Sequence, residues 1–154
     1  DIIANTSNNY IQCYNEIDYK KSESRLVKHL RIDSKPIRAP YLIDSADYIS
    51  CSNINTVDVE TIIKNIKPKG TLLVNSSLSS LTFWQSLTGD IQEEIIRKRV
   101  ALYTVNLKDL KPYYLIRKAM TSAFDACFLY LNNGYVNSSN LAQLSTKIVK
   151  VDIF

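Results

Sequence analysis

The basic residues of this chain are concentrated in residues 20–38. This segment holds seven of the nineteen Lys and Arg residues against two acids, so its net charge is +5, whereas the rest of the chain is nearly neutral. Such a local excess of positive charge predicts a binding site for an anion. Lysine and arginine form strong charge-assisted hydrogen bonds with phosphate oxygens. The first chemistry that the sequence indicates is therefore the binding of a phosphate-rich ligand.

The order of residues in 24–32 is typical of a β-strand. In a strand, Arg25, His29 and Arg31 would share one face with Val27. Neighbours two residues apart on one face lie about 7 Å from each other, close enough for several to reach one phosphate-rich ligand. The same pattern also fits a half-buried strand whose basic face is simply solvated, and the spacing leaves both interpretations open.

Residues suited to catalysis are scarce. His29 is the only histidine, and it is explained more simply as part of the basic strand face. Cys13, Cys51 and Cys127 are too widely separated to form a metal-binding pair. Glycine-rich nucleotide-binding motifs do not occur. We therefore predict no catalytic residue and no metal ligand. Nucleic acid is not a predicted partner, because no aromatic ladder accompanies the basic segment.

A second candidate site is the polar run Asn75, Ser76 and Ser77, which follows an apolar strand-like run. Open α/β sheets usually bind ligands at the carboxyl ends of their strands. The alternative is that these residues cap the next helix, since Asn and Ser are strong N-cap residues. The capping interpretation is the simpler one.

Composition places the chain among globular proteins of one domain. It has 154 residues, 45% hydrophobic and 22% charged, and its longest apolar runs are far shorter than the ~20 residues of a membrane span. An odd number of cysteines argues against a disulfide framework and predicts a reducing compartment such as the cytoplasm. The single methionine is Met120. We expect residues 1–154 to be one domain of a longer protein, truncated at both ends.

The pattern of apolar residues changes along the chain. Residues 10–17 and 24–32 predict two strands, and residues 35–44, with two prolines, predict an irregular loop. From residue 47 onward, short apolar strands alternate with amphipathic helices, which predicts an α/β fold: an open, mostly parallel sheet with helices on both faces, in a Rossmann-like three-layer arrangement. Apolar pairs every four residues predict a buried helix over residues 113–131.

Several segments, in order, resemble the pyruvate:ferredoxin (flavodoxin) oxidoreductase family. The resemblance covers about residues 2–131, and it is carried by segments 18–22 (Asp-Tyr-Lys-Lys-Ser), 28–32 (Lys-His-Leu-Arg-Ile), 35–38 (Lys-Pro-Ile-Arg), 39–52, 67–76 (ending in Asn-Ser) and 105–131, where Arg117 and Met120 match an Arg-x-x-Met pair.

The resemblance implies a gamma-type domain of a large enzyme that converts a 2-oxoacid such as pyruvate and coenzyme A to acyl-CoA and carbon dioxide. In that family this domain helps hold coenzyme A. Thiamine diphosphate and the iron–sulfur clusters belong to other domains, and a ferredoxin, flavodoxin or NADP module accepts electrons. By position, the paired-lysine turn of the family matches Lys20, Lys21 and Ser22, and Arg25 and Arg31 complete the expected site for coenzyme A phosphates.

The chain also departs from the family pattern. Where the family has two glycines after the paired lysines, this sequence has Glu23 and Ser24, which places an acid beside the expected phosphate site and removes backbone freedom. The alternative function is therefore a non-catalytic scaffold or interaction domain that has lost coenzyme A binding, as in the flavoprotein subunit of some sulfite reductases. In either case we expect no enzymatic turnover from the isolated chain.

Overall fold

The computed structural model describes residues 9–18, 25–54, 58–107, 127–128, 131–132 and 148–153. It divides into two compact units, Asp1–Asp44 and Ser45–Phe154. We call them the hairpin unit and the sheet unit, and each is described by itself.

The hairpin unit contains two antiparallel strands, β1 (Tyr10–Asp18) and β2 (Arg25–Asp33). Their register runs without interruption from the pair Tyr10–Asp33 to the pair Asp18–Arg25. Both predicted strands are confirmed. Residues 34–45 have no helix or strand, which confirms the irregular loop expected around the two prolines.

The sheet unit contains a four-stranded sheet in the order β3-β4-β5-β6, formed by Ala46–Cys51, Ile66–Asn75, Ala101–Val105 and Ile148–Lys150. The first three strands are parallel, and β6 runs antiparallel to β5. Three helices connect the parallel strands: α1 (Val59–Asn65), α2 (Ser80–Ser86) and α3 (Gly89–Lys98). The predicted open, mostly parallel α/β sheet is confirmed.

Side chains of β4 alternate between two apolar layers. Leu72 and Val74 belong to a cluster that also contains buried residues of all three helices, whereas Leu73 packs with Cys127 in a second cluster. Since Cys127 is helical, helices cover both faces of the sheet. Burial on both faces explains why β4 is a continuous apolar run.

Two of the predicted helices lie largely outside the described residues. Within 113–131 only Cys127, Phe128 and Leu131 are described, all of them helical, and the rest of that prediction lies outside the described residues. The spacing of Leu141, Leu144 and Ile148 predicts a terminal helix; this prediction is wrong at its end, because Ile148 begins β6. Among the helices described, none has the length and hydropathy needed to cross a bilayer.

The ends of α1 also differ from the sequence-based expectation. The helical spacing that begins at Val59 predicts Asn55 or Thr56 as N-cap, but Asp58 holds that position: its carboxylate accepts hydrogen bonds from the Glu60 amide and from the Thr61 hydroxyl. These bonds, the Thr61 hydroxyl foremost, lower the pKa of Asp58.

Helix α1 stops before Ile66, which begins β4, because Pro68 can neither donate a helical hydrogen bond nor tolerate a helical residue before it. The Lys98 ammonium group lies 2.7 Å from the Ile63 carbonyl oxygen and 3.0 Å from those of Lys64 and Ile66. It therefore satisfies carbonyl groups that the end of α1 would leave without partners.

The sequence Lys-Pro-Lys-Gly at residues 67–70 predicts the end of the preceding helix. That helix ends at Asn65, and residues 67–70 lie inside β4. Its conformation is irregular, since Lys69 has φ 63° and the pairing with β3 shifts between Ala46 and Tyr48. Gly70 is buried where the strands approach closely: a Cβ there would lie 2.9 Å from the Lys67 carbonyl oxygen and 3.0 Å from that of Asp47. Glycine is required because backbone atoms cannot move aside as a flexible side chain can.

We therefore expect Gly70→Ala to lower the free energy of unfolding by about 1–3 kcal/mol, the usual cost of overpacking. The matched control is Gly89→Ala, at the start of α3, where an added Cβ meets nothing within 4 Å. Alanine there should be neutral or stabilising by up to ~1 kcal/mol. Urea unfolding of the three proteins gives both values. Equal midpoints for the two variants would contradict the proposed close approach.

Candidate functional site

The predicted phosphate-binding residues are only partly within the described structure. Lys20, Lys21 and Ser22 lie outside the described residues. Arg25 is described by its backbone, which begins β2 opposite Asp18. Only Arg31 is described with its side chain. The assignment of these five residues to a ligand site stays a prediction.

The hairpin register fixes the spacing along this candidate site. The connection that carries Lys20 and Lys21 leaves β1 at Asp18 and enters β2 at Arg25. Arg31 lies six residues farther along β2, or about 20 Å from Arg25 at a strand rise of ~3.4 Å per residue. Arg25 and Arg31 therefore do not lie side by side on the strand face. An elongated ligand with separated phosphate groups suits this spacing better than a single phosphate group.

The basic face of β2 is matched by polar residues across the hairpin. Directly opposite residues of an antiparallel pair lie on the same face, and the register places Tyr14 opposite His29 and Gln12 opposite Arg31. Glu16, on the same face, is also within reach of His29: its carboxylate oxygen lies 3.2 Å from His29 Nε2. The strand face that the sequence predicts to be basic is thus a mixed polar face.

His29 has a structural role in this network. Its Nδ1 accepts a hydrogen bond of 3.2 Å from the Ile43 amide, so Nε2 carries the ring proton and donates to Glu16. The His29 side chain is only 10% exposed. Because both ring nitrogens are engaged, the imidazole attaches the 34–45 loop to the hairpin, in agreement with the expectation that it belongs to the strand face.

Arg31 contacts the same loop. Its guanidinium donates to the Leu42 carbonyl oxygen at 3.1 Å and to Gln12 Oε1 at 3.2 Å, and it lies 5.0 Å from the centre of the Tyr41 ring. The Tyr14 hydroxyl adds a longer contact of 3.4 Å to the Ala39 carbonyl oxygen. Arg31 is therefore already committed to holding the loop.

The number of charges along the chain does not reveal this role, because the partners of Arg31 lie on the opposite strand and in the loop. A signal was present: Gln12, Tyr14 and Glu16 alternate with apolar residues in β1, as expected of a strand with one polar face.

The carboxyl edge of the sheet is organised by Asn75. This residue ends β4, and its side-chain amide donates to the Ser52 carbonyl oxygen at 3.0 Å and accepts from the Leu107 amide at 3.1 Å. Ser52 follows β3 and Leu107 follows β5, so one side chain joins the segments after three adjacent strands. A backbone bond of 3.0 Å from the Ser76 amide to the Val105 carbonyl oxygen supports the same junction.

The predicted capping role of the Asn75–Ser77 run is wrong. Helix α2 is capped by Ser79, whose hydroxyl oxygen accepts from the Thr82 amide at 3.2 Å. The Ser76 hydroxyl oxygen accepts from the Leu78 amide, which closes a local turn. Both ends of the Asn75 amide are engaged by backbone groups, so this residue positions the edge of the sheet.

The three cysteines, all within the described residues, form no disulfide, and their surroundings differ. Cys13 is exposed, whereas Cys51 and Cys127 are buried. Burial raises the pKa of the Cys127 thiol to about 11, so at neutral pH it stays protonated and unreactive. Over the described residues, no group of three or more His, Cys, Asp or Glu side chains could hold a metal ion.

The fold and these junctions define the sheet unit as an α/β domain with parallel strands, and comparison with known proteins gives its family. The family model for pyruvate ferredoxin/flavodoxin oxidoreductase matches residues 2–123. The chain belongs to this family.

Relatives share most of the chain at moderate identity. A pyruvate-flavodoxin oxidoreductase of Trichormus variabilis is 32% identical over 149 residues, which are 97% of this chain and 12% of the relative. A probable pyruvate-flavodoxin oxidoreductase of Escherichia coli is 29% identical over 97% of this chain and 13% of its own length. One from Klebsiella pneumoniae is 38% identical over 109 residues, 71% of this chain and 9% of the relative. The chain thus spans about an eighth of the length of the first two.

We expect Asn75→Ala to lower the free energy of unfolding by about 1–3 kcal/mol, because the Leu107 amide loses its acceptor in a partly buried position. Asn75→Asp keeps an acceptor for that amide and should recover part of the loss. Ser77→Ala, at an exposed neighbouring position, is the control and should stay within about 0.5 kcal/mol of the parent chain. Denaturant midpoints that are the same for all three variants would show that Asn75 does not join the strand ends.

In the native chain we expect one cysteine, Cys13, to react rapidly with a thiol reagent such as DTNB at pH 8. Cys51 and Cys127 should react only after unfolding, because both are buried and the raised pKa of Cys127 disfavours its thiolate. Counting the thiolate released before and after adding denaturant measures this, and Cys13→Ser should abolish the rapid phase. Rapid reaction of two or more thiols in the native chain would contradict the burial described.

Proposed function

We propose that this chain acts as one domain of a larger oxidoreductase that converts pyruvate or a related 2-oxoacid and coenzyme A to acyl-CoA and carbon dioxide. The observation that carries the proposal is the family match over residues 2–123, which includes the hairpin and the three parallel strands of the sheet. The small share of each relative that the chain spans supports a role as one part of a longer polypeptide.

Within that enzyme we propose that this domain helps to bind coenzyme A. Lys20, Lys21 and Ser22 would contact phosphate groups from the connection between β1 and β2, with Arg25 at the start of β2. Since lysine and arginine donate charge-assisted hydrogen bonds to phosphate, these residue types suit the role. Arg31 could join only through a second phosphate group, given its distance of about 20 Å along the strand. Other parts of the enzyme would hold thiamine diphosphate and the iron–sulfur clusters and would contact the ferredoxin, flavodoxin or NADP acceptor. We expect the enzyme to be cytoplasmic.

A second candidate function is a scaffold domain that packs against the rest of the enzyme without holding coenzyme A. The observation that favours it is the commitment of Arg31 to Gln12 and Leu42, which uses donors that a phosphate would need. The acid Glu23, in the connection itself, would also repel a phosphate. The two functions differ in whether the isolated chain has measurable affinity for coenzyme A.

We expect the double variant Lys20→Ala, Lys21→Ala to weaken coenzyme A binding by a few kcal/mol at most, since a hydrogen bond to a charged group contributes roughly 1.5–3 kcal/mol and salt screens exposed charges. The matched control is Lys64→Ala, Lys150→Ala, which removes the same charge from two exposed positions in the sheet unit. Titration calorimetry at low and moderate salt compares the three proteins. Equal affinity in all of them, or none in any, would contradict the site and favour the scaffold.

A further inference from the structure

One face of the hairpin is largely apolar. It is formed by alternate residues of both strands, and we call it the open face: Ile11, Cys13, Asn15, Ile17, Leu26, Lys28, Leu30 and Ile32. The opposite face of the hairpin carries Arg31 and His29, which form hydrogen bonds with the 34–45 loop. Each face thus has a distinct composition, as expected of a sheet that packs on one side.

The open face is incompletely buried. Leu26 is 63% exposed, and Ile17, directly opposite it in the register, is 41% exposed. Cys13 is exposed as well, and the remaining apolar side chains of this face are half-buried. Of the hairpin-unit residues described, only Ala39 is buried. The described part of this unit therefore lacks a hydrophobic core of its own.

A two-stranded hairpin is marginally stable by itself and needs packing against another element. The burial of apolar surface is the main favourable contribution to folding and to association between protein surfaces. An exposed apolar face of contiguous side chains is accordingly typical of an interaction site. Six of the eight residues on this face are apolar, Asn15 and Lys28 being the exceptions, so we expect the face to be covered.

We propose that the open face docks against an apolar surface of another domain in the same oxidoreductase polypeptide. The inference rests on the proposed function. Its support is the length of the relatives: they align with 97% of this chain, the hairpin included, through only 12–13% of their own residues. In those proteins the corresponding hairpin is thus part of a much longer polypeptide, which offers other surfaces for it to pack against. A second copy of this chain is a poorer occupant, because symmetric pairing of two open faces would bring the like charges of both Lys28 side chains into one contact, whereas another domain need not present a positive charge there.

Cys13 provides a native probe of this contact. The rate of its alkylation is measured by mass spectrometry of its peptide, first in the 154-residue chain and then in the full oxidoreductase polypeptide that contains it. We expect the rate to fall at least tenfold in the full polypeptide. The double variant Ile17→Thr, Leu26→Thr in that polypeptide should restore most of the rate. The control Val27→Thr makes the same kind of change on the opposite face and should restore nothing.

The comparison of the two unmodified proteins decides the proposal even if a variant fails to fold. Equal rates in the chain and in the full polypeptide would overturn it. Slow labelling of the isolated chain at every concentration would mean that the chain covers the face itself, and labelling that slows as its concentration rises would mean that a second copy does; both results overturn the proposal. Coenzyme A affinity is measured separately, so the docking surface and the ligand site can fail independently.

Discussion

The sheet unit depends on the burial of strand β4 between two layers of side chains and two neighbouring strands. Leu73 and Val74 are each 0% exposed, and they point to opposite faces of the sheet. Strand β4 has a neighbouring strand on each edge and packed side chains on each face. The residues at its ends are therefore constrained as tightly as those in its middle. Gly70 admits the backbone of β3 at one end, and Asn75 joins the segments that follow β3 and β5 at the other. These two residues of β4 therefore help to fix the register of all three parallel strands.

The hairpin unit is held together in a different way. Its organising contacts are polar: Arg31 and His29 each reach across from β2 to the 34–45 loop, and Glu16 orients the imidazole. Such hydrogen bonds contribute modestly to stability, about 0.5–1.5 kcal/mol each between neutral groups and roughly 1.5–3 kcal/mol where one group is charged, whereas apolar burial supplies most of the free energy of folding in larger domains. Arg31, one of the positive charges that suggest a ligand site, is thus used for internal structure. Because an arginine can serve either the internal structure or a ligand, charge alone is a poor guide to the site.

Much of the fold could be predicted from the sequence, and the site could be predicted less well. Strands and helices follow from periodicity, so β1, β2 and the alternation after residue 47 were expected. Boundaries were less accurate where one residue decides between neighbouring elements: Ile66 continues the helical spacing of α1, yet Pro68 makes it the start of β4. The partners of Arg31 and the junction at Asn75 depend on residues distant in sequence. Without a register or a strand order, no local pattern identifies them.

We infer that the sheet unit is stable within the isolated chain, and we propose that the hairpin is completed by contact with the rest of the oxidoreductase. Amide hydrogen exchange tests both parts at once. We expect the amides of Leu72, Leu73 and Val74 to exchange at the same slow rate in the isolated chain and in the full polypeptide. The paired amides of β1 and β2 should exchange rapidly in the chain and at least tenfold more slowly in the full polypeptide. Hairpin protection that is equally strong in both proteins would contradict the account.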